Sequence, residues 1–330
     1  MGEDRRAAGT VPSGRPPNPK VVALGGGHGL FASLSALRRV TRQLTAVVTV
    51  ADDGGSSGKL RREFGVLPPG DLRMALAALC GGDAWGTTWS RVVQHRFSGA
   101  GELGGHAVGN VLIVALWELL GDTVQGLDWV GRLLGAHGRV LPMASVPLEL
   151  TAEVEGADPA RPEEITVVRG QAACASTTGR VRSVKLDPAD PPACAEAVSA
   201  VRGADWVVLG PGSWFTSVLP HLLVPELADA LVSTKARRLV ALNLAPQPGE
   251  TEGFSPHAHL EVLAEHAPEL GVDMVLADRG AAAGMTAELE KAASLLGGKV
   301  TLADLAMRDG SPRHDPQRLA GAFAEIFKGE

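Results

Sequence analysis

Four stretches of this chain combine glycines, acids, amides and hydroxyls in patterns suited to binding anions. Gly25-Gly26-Gly27-His28-Gly29 follows the apolar run VVAL (21–24) and opens a helical pattern. Residues without side chains let a phosphate approach the backbone, and the free N–H groups and dipole of a helix start favour negative charge. The spacing is not the dinucleotide GxGxxG, because the position that fingerprint needs as glycine is Leu30. A merely tight turn is the plain alternative. Asp52-Asp53-Gly54-Gly55-Ser56-Ser57-Gly58 ends the next apolar run, where a Rossmann-type sheet places an acid against a ribose. Adjacent carboxylates also suit Mg²⁺ shared with phosphates, or a plain turn. Gly210-Pro211-Gly212-Ser213 continues through Trp214-Phe215-Thr216-Ser217 and is expected to form a second anion cradle. Asn243, Gln247, Gly249, Glu250 and Thr251 lie in a long, proline-stiffened loop after a fourth apolar run.

Other positions are less specific. In Pro68-Pro69-Gly70-Asp71, the aspartate reads as a helix N-cap and Arg73 falls in the first turn. Arginine there opposes the dipole, so an anion or acid nearby would account for it; a solvated surface arginine is the alternative. Asn110, one turn into the apolar helix 106–120, is expected to make a polar site contact, since a buried amide needs partners. Arg313 precedes the last helix and could pair a diphosphate bidentately; a surface ion pair is the bland reading. His257 and His259 are not read as metal ligands, because an HxH spacing on a helix sets the imidazoles roughly 200° apart. A solvated helix face is expected for them. The pattern contains no GxSxG elbow, Walker loop or HExxH, so no catalytic or metal residue is assigned.

The elements that must position these residues alternate in type. Short β-branched runs at 21–24, 44–51, 205–210, 238–243, 273–277 and 299–303 are separated by Ala/Leu-rich helical segments, which predicts a doubly wound, mostly parallel α/β sheet of Rossmann-like type. Helices are predicted at 30–40, 191–202, 217–233, 257–267, 282–295 and 316–328. A helical subdomain is expected as an insertion over about 71–137, and a small mixed or antiparallel β region over 139–187. Residues 1–19 read as a disordered tail, leaving 20–330 as a single nucleotide-binding domain. In open α/β sheets ligands lie outside the carboxyl ends of the strands, and all four loops leave that edge. Their convergence is the strongest argument for a nucleotide-type ligand held by its diphosphate.

Composition sets the limits. With 45% hydrophobic and 21% charged residues, the 330-residue chain can bury a large core. A net charge of −6 argues against nucleic-acid binding. No apolar run approaches the roughly 20 residues of a membrane span. Three widely spaced cysteines with no CxxC pair fit a reducing compartment, so a cytoplasmic location is expected.

In order, VVALGGGHG, TVADDGGSSGKLR, PPGDLR, GHAVGN, LGPGSWFTSVLPHLLV, NLAPQPGETEGFS and RHD closely resemble the YvcK-type (GlmR) gluconeogenesis-factor family, which is related to the 2-phospho-L-lactate transferases of coenzyme F420 synthesis. The resemblance spans Val21 to Lys328. It implies a Rossmann-like, non-catalytic regulator that binds UDP-sugars, UDP-N-acetylglucosamine foremost, with no obligatory cofactor and with room for NAD(P) in the same cleft. It links the chain to cell-wall precursor supply, cell shape and growth on gluconeogenic carbon, with a protein partner in amino-sugar synthesis and a homo-oligomeric state as further expectations. The alternative is an Mg²⁺-dependent transferase of the phospholactate type. Three positions depart from the family's habit: His28 replaces Thr, Trp214-Phe215 replaces Leu-Tyr and Ala245-Pro246 replaces Met-Thr.

Overall fold

The computed structural model describes residues 18–158, 160–247 and 250–328. Most of the predicted tail therefore lies outside the described residues. Its last two residues are tied down, since Asn18 accepts a hydrogen bond from the Arg42 N–H at 2.8 Å and Pro19 accepts one from the Thr41 hydroxyl at 2.5 Å.

The chain begins β1 (Lys20–Gly25), α1 (Gly27–Leu37) and β2 (Gln43–Val48). A run of helices follows: α2 (Gly55–Phe64), α3 (Pro69–Leu79), α4 (Ala84–Gln94), α5 (Val108–Leu120) and α6 (Thr123–Leu134). Then come β3 (Arg139–Pro142), β4 (Glu149–Glu155), β5 (Ile165–Arg169), the short α7 (Gln171–Ala175) and β6 (Arg180–Asp187). Regular alternation closes the chain with α8 (Ala195–Arg202), β7 (Trp206–Leu209), α9 (Pro225–Ser233), β8 (Arg237–Ala241), α10 (Pro256–His266), β9 (Met274–Asp278), α11 (Thr286–Leu295), β10 (Lys299–Ala303) and α12 (Pro316–Phe327).

Seven strands form one parallel sheet in the order β10-β9-β8-β7-β1-β2-β3. The chain starts in the middle, steps outward to β3, then returns beside β1 and steps outward the other way. Strand order thus reverses between β1 and β7, which opens a crevice at their carboxyl ends. Both strands are apolar on both faces and buried apart from Lys20, as helices on each side of a parallel sheet require. A separate antiparallel sheet, β5-β4-β6, carries the small β region.

Three expectations change. The run at 139–142 is not part of the small sheet: α6 returns the chain so that β3 extends the main sheet beside β2. The helical insertion starts at Gly55 rather than about 71, because GSSGKLRREF is helical despite its poor propensity. Burial of Ser56, Ser57 and Leu60 offsets that propensity, and left-handed Gly65 (φ 66°) ends the helix. The single helix expected over 217–233 is instead a π turn (Trp214–Val218), a 3-10 turn (Leu219–Leu223) and then α9, broken where Pro220 and Pro225 remove backbone donors. Among the described residues no single helix is long and apolar enough to cross a membrane. Cys80, Cys174 and Cys194 are unpaired and buried.

Candidate functional site

The loops after β1 and β7 meet at the switch point so closely that a Cβ on Gly29 would lie 2.1 Å from the Pro211 carbonyl oxygen. A Cβ on Gly26 would lie 2.5 Å from the Asp71 carboxyl. Gly27 opens α1 in the left-handed region at φ 55°. The first intrahelical bond of α1 is Leu30 N–H to the Gly26 carbonyl, so the N–H groups of Gly27, His28 and Gly29 have no partner within the helix.

Two cavities flank this helix start. One, of about 490 Å³, is mostly apolar and is lined by Phe31, Pro211, Asn243, Leu244, Arg313 and His314 among others. The second, of about 440 Å³, has more polar side chains on its walls and includes Gly26, Gly27, Asp52, Asp71, Gln171, Ser213, Thr216 and Glu250. His28, Gly29 and Gln247 line both, which makes the cavities two lobes of one cleft joined over the start of α1.

The remaining expected site residues divide into those on the walls and those behind them. Asn243 exchanges two 2.8 Å bonds with the backbone of Gly212, donating to its carbonyl and accepting from its N–H. This fixes the loop after β8 to the Gly210-Pro211-Gly212 turn. Asp52 accepts from the Gly54 N–H at 2.9 Å and faces the polar lobe. Asp53 points elsewhere, accepting from the Ala172 N–H at 3.0 Å and tethering α7. Gly25 is buried, its carbonyl accepting from the Thr49 N–H at 3.0 Å. Ser56 and Ser57 are buried under the acids, with the Ser56 hydroxyl within 3.2 Å of His106 Nδ1 and accepting from the Asn110 amide at 3.0 Å. Thr251 is buried and accepts from the Gln247 N–H at 2.8 Å, while Gly249 lies outside the described residues.

Arg73 and Asn110 belong to this supporting layer rather than to either lobe. The Arg73 guanidinium donates to Asn110 Oδ1 at 2.9 Å and also to Gln94. Burial, then repulsion from Arg96, lowers its pKa to about 10, while Asp71 and Asp52 pull it upward. Acids do lie near Arg73, although α3 starts at Pro69 and so carries it in the second turn rather than the expected first; the surface alternative is not what the fold builds, since Arg73 is only 4% exposed. Arg313 is exposed on the rim of the apolar lobe and pairs with Asp309 at 3.2 Å.

Glu250 occupies the cradle expected for a second anion. Its carboxylate accepts from the N–H groups of Phe215 and Thr216 at 2.8 Å each and from the Ser213 hydroxyl at 2.5 Å. It is 3% exposed, and burial raises its pKa. The protein therefore supplies its own anion to the β7 loop.

Three wall residues escape sequence reasoning. Asp71 is not an N-cap, since Pro68 holds that position; it sits in the first turn of α3 with its carboxyl beside Gly27. Burial, then the charge of Asp52, raises its pKa to about 7, with the Gly27 N–H and Arg73 opposing the shift. Only its pairing with Arg73 in PPGDLR hinted at more than a cap. His314 lines the apolar lobe, its Nε2 buried without a protein partner, and burial lowers its pKa to about 4. Gln171 comes from the small β region, which no local pattern connects to the cleft. His259 also differs from expectation: it is buried edge-on against Trp214 and Phe254, because α10 turns that face inward. Among the described residues no cluster of three or more His, Cys, Asp or Glu is arranged to hold a metal ion.

Comparison with known proteins places this architecture. Residues 21–301 match the family model for 2-phospho-L-lactate transferase CofD. A Mycobacterium leprae protein with a gluconeogenesis-factor name is 54% identical over 94% of this chain and 87% of its own. The Listeria monocytogenes gluconeogenesis factor is 39% identical over 78% of this chain and 77% of its own. A crystal structure of a UPF0052 family member from Bacillus halodurans superposes with a TM-score of 0.80 at 32% identity, covering 93% of this chain and 98% of that one.

Proposed function

The chain belongs to the 2-phospho-L-lactate transferase CofD family, among the relatives named gluconeogenesis factors, and we propose that it is a cytoplasmic UDP-sugar-binding regulator that does not turn its ligand over. The observation that carries this reading is the two-lobed cleft bridged by the start of α1. A nucleoside fits the apolar lobe, where Phe31 and Leu244 offer surface and His314 Nε2 a hydrogen-bonding nitrogen. The diphosphate lies over the N–H groups of His28 and Gly29 at the start of α1, with Arg313 at the rim. The sugar then falls in the polar lobe, where carboxylates and the amides of Gln171 and Gln247 suit hydroxyl and acetamido groups. UDP-N-acetylglucosamine is the leading candidate, and NAD(P) is a competitor for the same bridge. In this reading ligand occupancy reports precursor supply to a protein partner in amino-sugar synthesis, which ties carbon flux to cell-wall precursors, cell shape and growth on gluconeogenic carbon.

One observation favours a second reading. Asp52 and Asp71 face the same lobe close enough to raise the Asp71 pKa, and a phosphate-borne Mg²⁺ uses one or two carboxylates while keeping its waters. These two residues would hold the ion in a transferase of the phospholactate type, and the ion would neutralise charge on the transferred group.

Calorimetric titration with UDP-N-acetylglucosamine, UDP-glucose, NAD and NADP, each with and without Mg²⁺, separates the readings. Tight, Mg²⁺-independent binding of the UDP-sugar, with the ligand recovered intact, is the expected result. Absence of UDP-sugar binding, or its Mg²⁺-dependent consumption, would overturn it.

A further inference from the structure

The polar lobe of the cleft is walled by acceptors. Asp52, Asp71, Gln171 and Glu250 line it, and among the described residues no lysine or arginine does. The Arg73 guanidinium stands behind the wall and is spent on Asn110 and Gln94. His28, exposed where the two lobes meet, is the only basic side chain on the border.

Most donors of this wall are taken up by the protein itself. The Gly27 N–H goes to Asp71, while the N–H groups of Phe215 and Thr216 and the Ser213 hydroxyl go to Glu250. The Ala172 N–H goes to Asp53 at 3.0 Å. The Thr216 carbonyl sets the Gln171 amide, because a carbonyl only accepts: it takes the Nε2 end at 3.3 Å and leaves Oε1 for an occupant. Asp52 accepts from the Gly54 N–H through Oδ1, and its Oδ2 has no protein donor among the described residues. Ser217 and Gln247 add a hydroxyl and an amide, each able to donate or accept. What the lobe chiefly offers is therefore lone pairs, and two of the groups that carry them are acids.

We propose that this lobe selects sugar nucleotides by the charge of the sugar, admitting neutral sugars whose O–H and N–H groups donate to Asp52, Asp71 and Gln171 and rejecting sugars that bear a carboxylate. The inference rests on the UDP-sugar reading, with the sugar in this lobe. A sugar hydroxyl gives a carboxylate a charge-assisted hydrogen bond. A sugar carboxylate brings no donor and sets like charges together in a recess, where they interact more strongly than in bulk water. The wall cannot turn to meet it, since Glu250 would then leave buried N–H groups unsatisfied or stay as a further negative charge. The protein thereby reads sugar nucleotides as they stand before any step that oxidises the sugar to an acid or attaches an acidic arm, and is blind to the products of such a step.

Calorimetry with UDP-glucose and UDP-glucuronate, in chelator at about pH 8, tests this. The two ligands share base and diphosphate and differ in a hydroxymethyl against a carboxylate, and that pH lies above the raised Asp71 value of about 7, so both wall acids are charged. UDP-glucuronate should bind at least about tenfold more weakly, or 1.4 kcal/mol. Asp52→Asn, which keeps an acceptor for the Gly54 N–H, and Asp71→Asn should each narrow that ratio by about threefold or more as a like charge is removed. A variant that merely loosens the lobe weakens both ligands and leaves the ratio where it was. Equal affinity of the parent for the two ligands overturns the selection while the UDP-sugar reading stands. A ratio undiminished in both variants traces rejection to shape and overturns it too. If neither ligand binds, and UDP-N-acetylglucosamine does not bind either, the UDP-sugar reading itself falls and takes this inference with it.

Discussion

The loops Gly25–Gly29 and Gly210–Ser213 leave adjacent strands at the same sheet edge, and each runs into a helical turn, yet their donors have different fates. At the start of α1 the Gly27 N–H meets the Asp71 carboxyl, while those of His28 and Gly29 have no backbone acceptor among the described residues; those of Phe215 and Thr216 are both taken by Glu250 from the loop after β8. A glycine-rich turn therefore offers an anion only those donors that the protein's own carboxylates leave free. On the proposed reading the contrast also orients the ligand, with its diphosphate over α1 and away from the lobe that Glu250, Asp52 and Asp71 line. It can be broken from either side.

The largest effect is expected at Gly29. A methyl there would meet the backbone of Pro211 and Gly212 at 2.1 to 2.6 Å, and neither loop has a flexible side-chain end to move aside. Gly29→Ala should cost at least about 3 kcal/mol of stability, at the upper end for overpacking, and abolish nucleotide binding. At Gly27 no such neighbour intrudes, and alanine pays only for the left-handed backbone, about 1–2 kcal/mol. Equal urea midpoints for the two variants would remove the steric basis of the contrast.

Glu250→Ala acts on the other loop. It strands two buried N–H groups and a hydroxyl, so a loss of about 2–4 kcal/mol is expected. Inorganic sulfate should then raise the melting temperature of the variant by more than it raises that of the parent. A variant as stable as the parent would show that the β7 loop never needed its internal anion.

Arg313→Ala should weaken UDP-sugar binding about tenfold, or 1.4 kcal/mol, with lysine restoring only part because it lacks the fork. The guanidinium must leave Asp309 to reach a diphosphate, but that pair is exposed and holds it weakly. Unchanged affinity at moderate salt would return Arg313 to a surface role.

How far the sequence reaches depends on whether a residue's partner is local. β1, β2 and the βα units after residue 205 declare themselves by continuous apolar runs, because strands buried on both faces tolerate little else. The loops at their carboxyl ends follow from topology alone. What Glu250 does could not be read, because its donors lie 34 and 35 residues earlier, in a turn whose π geometry leaves no periodic trace. Gln171 was hidden for the same reason, as was the helical character of Gly55–Phe64, where burial outweighs propensity. Asn110 and Arg73 carried the right signal, a polar group in an apolar setting, but the partner each wanted was the other.

The finest test concerns Asp71, whose carboxyl meets the Gly27 N–H beside the two that a phosphate would use. Its pKa is raised from an ordinary 3.8 to about 7, by burial first and the Asp52 charge second. Folding therefore favours its protonated form: stability is fully present below the ordinary value and is lost as pH rises through about 7. A bound diphosphate favours the protonated form further, so affinity for a UDP-sugar should fall as pH rises from about 6 to 8, by no more than about tenfold per unit for a single proton. Asp71→Asn keeps the shape, removes the charge, and should flatten that slope while raising affinity a few-fold at the alkaline end. A metal-bridged ligand gives the opposite sign, because the carboxylate is then a binding group and asparagine weakens it. A slope that survives Asp71→Asn unchanged would take the proton away from Asp71, and the α1 cradle would stand without its acidic gate.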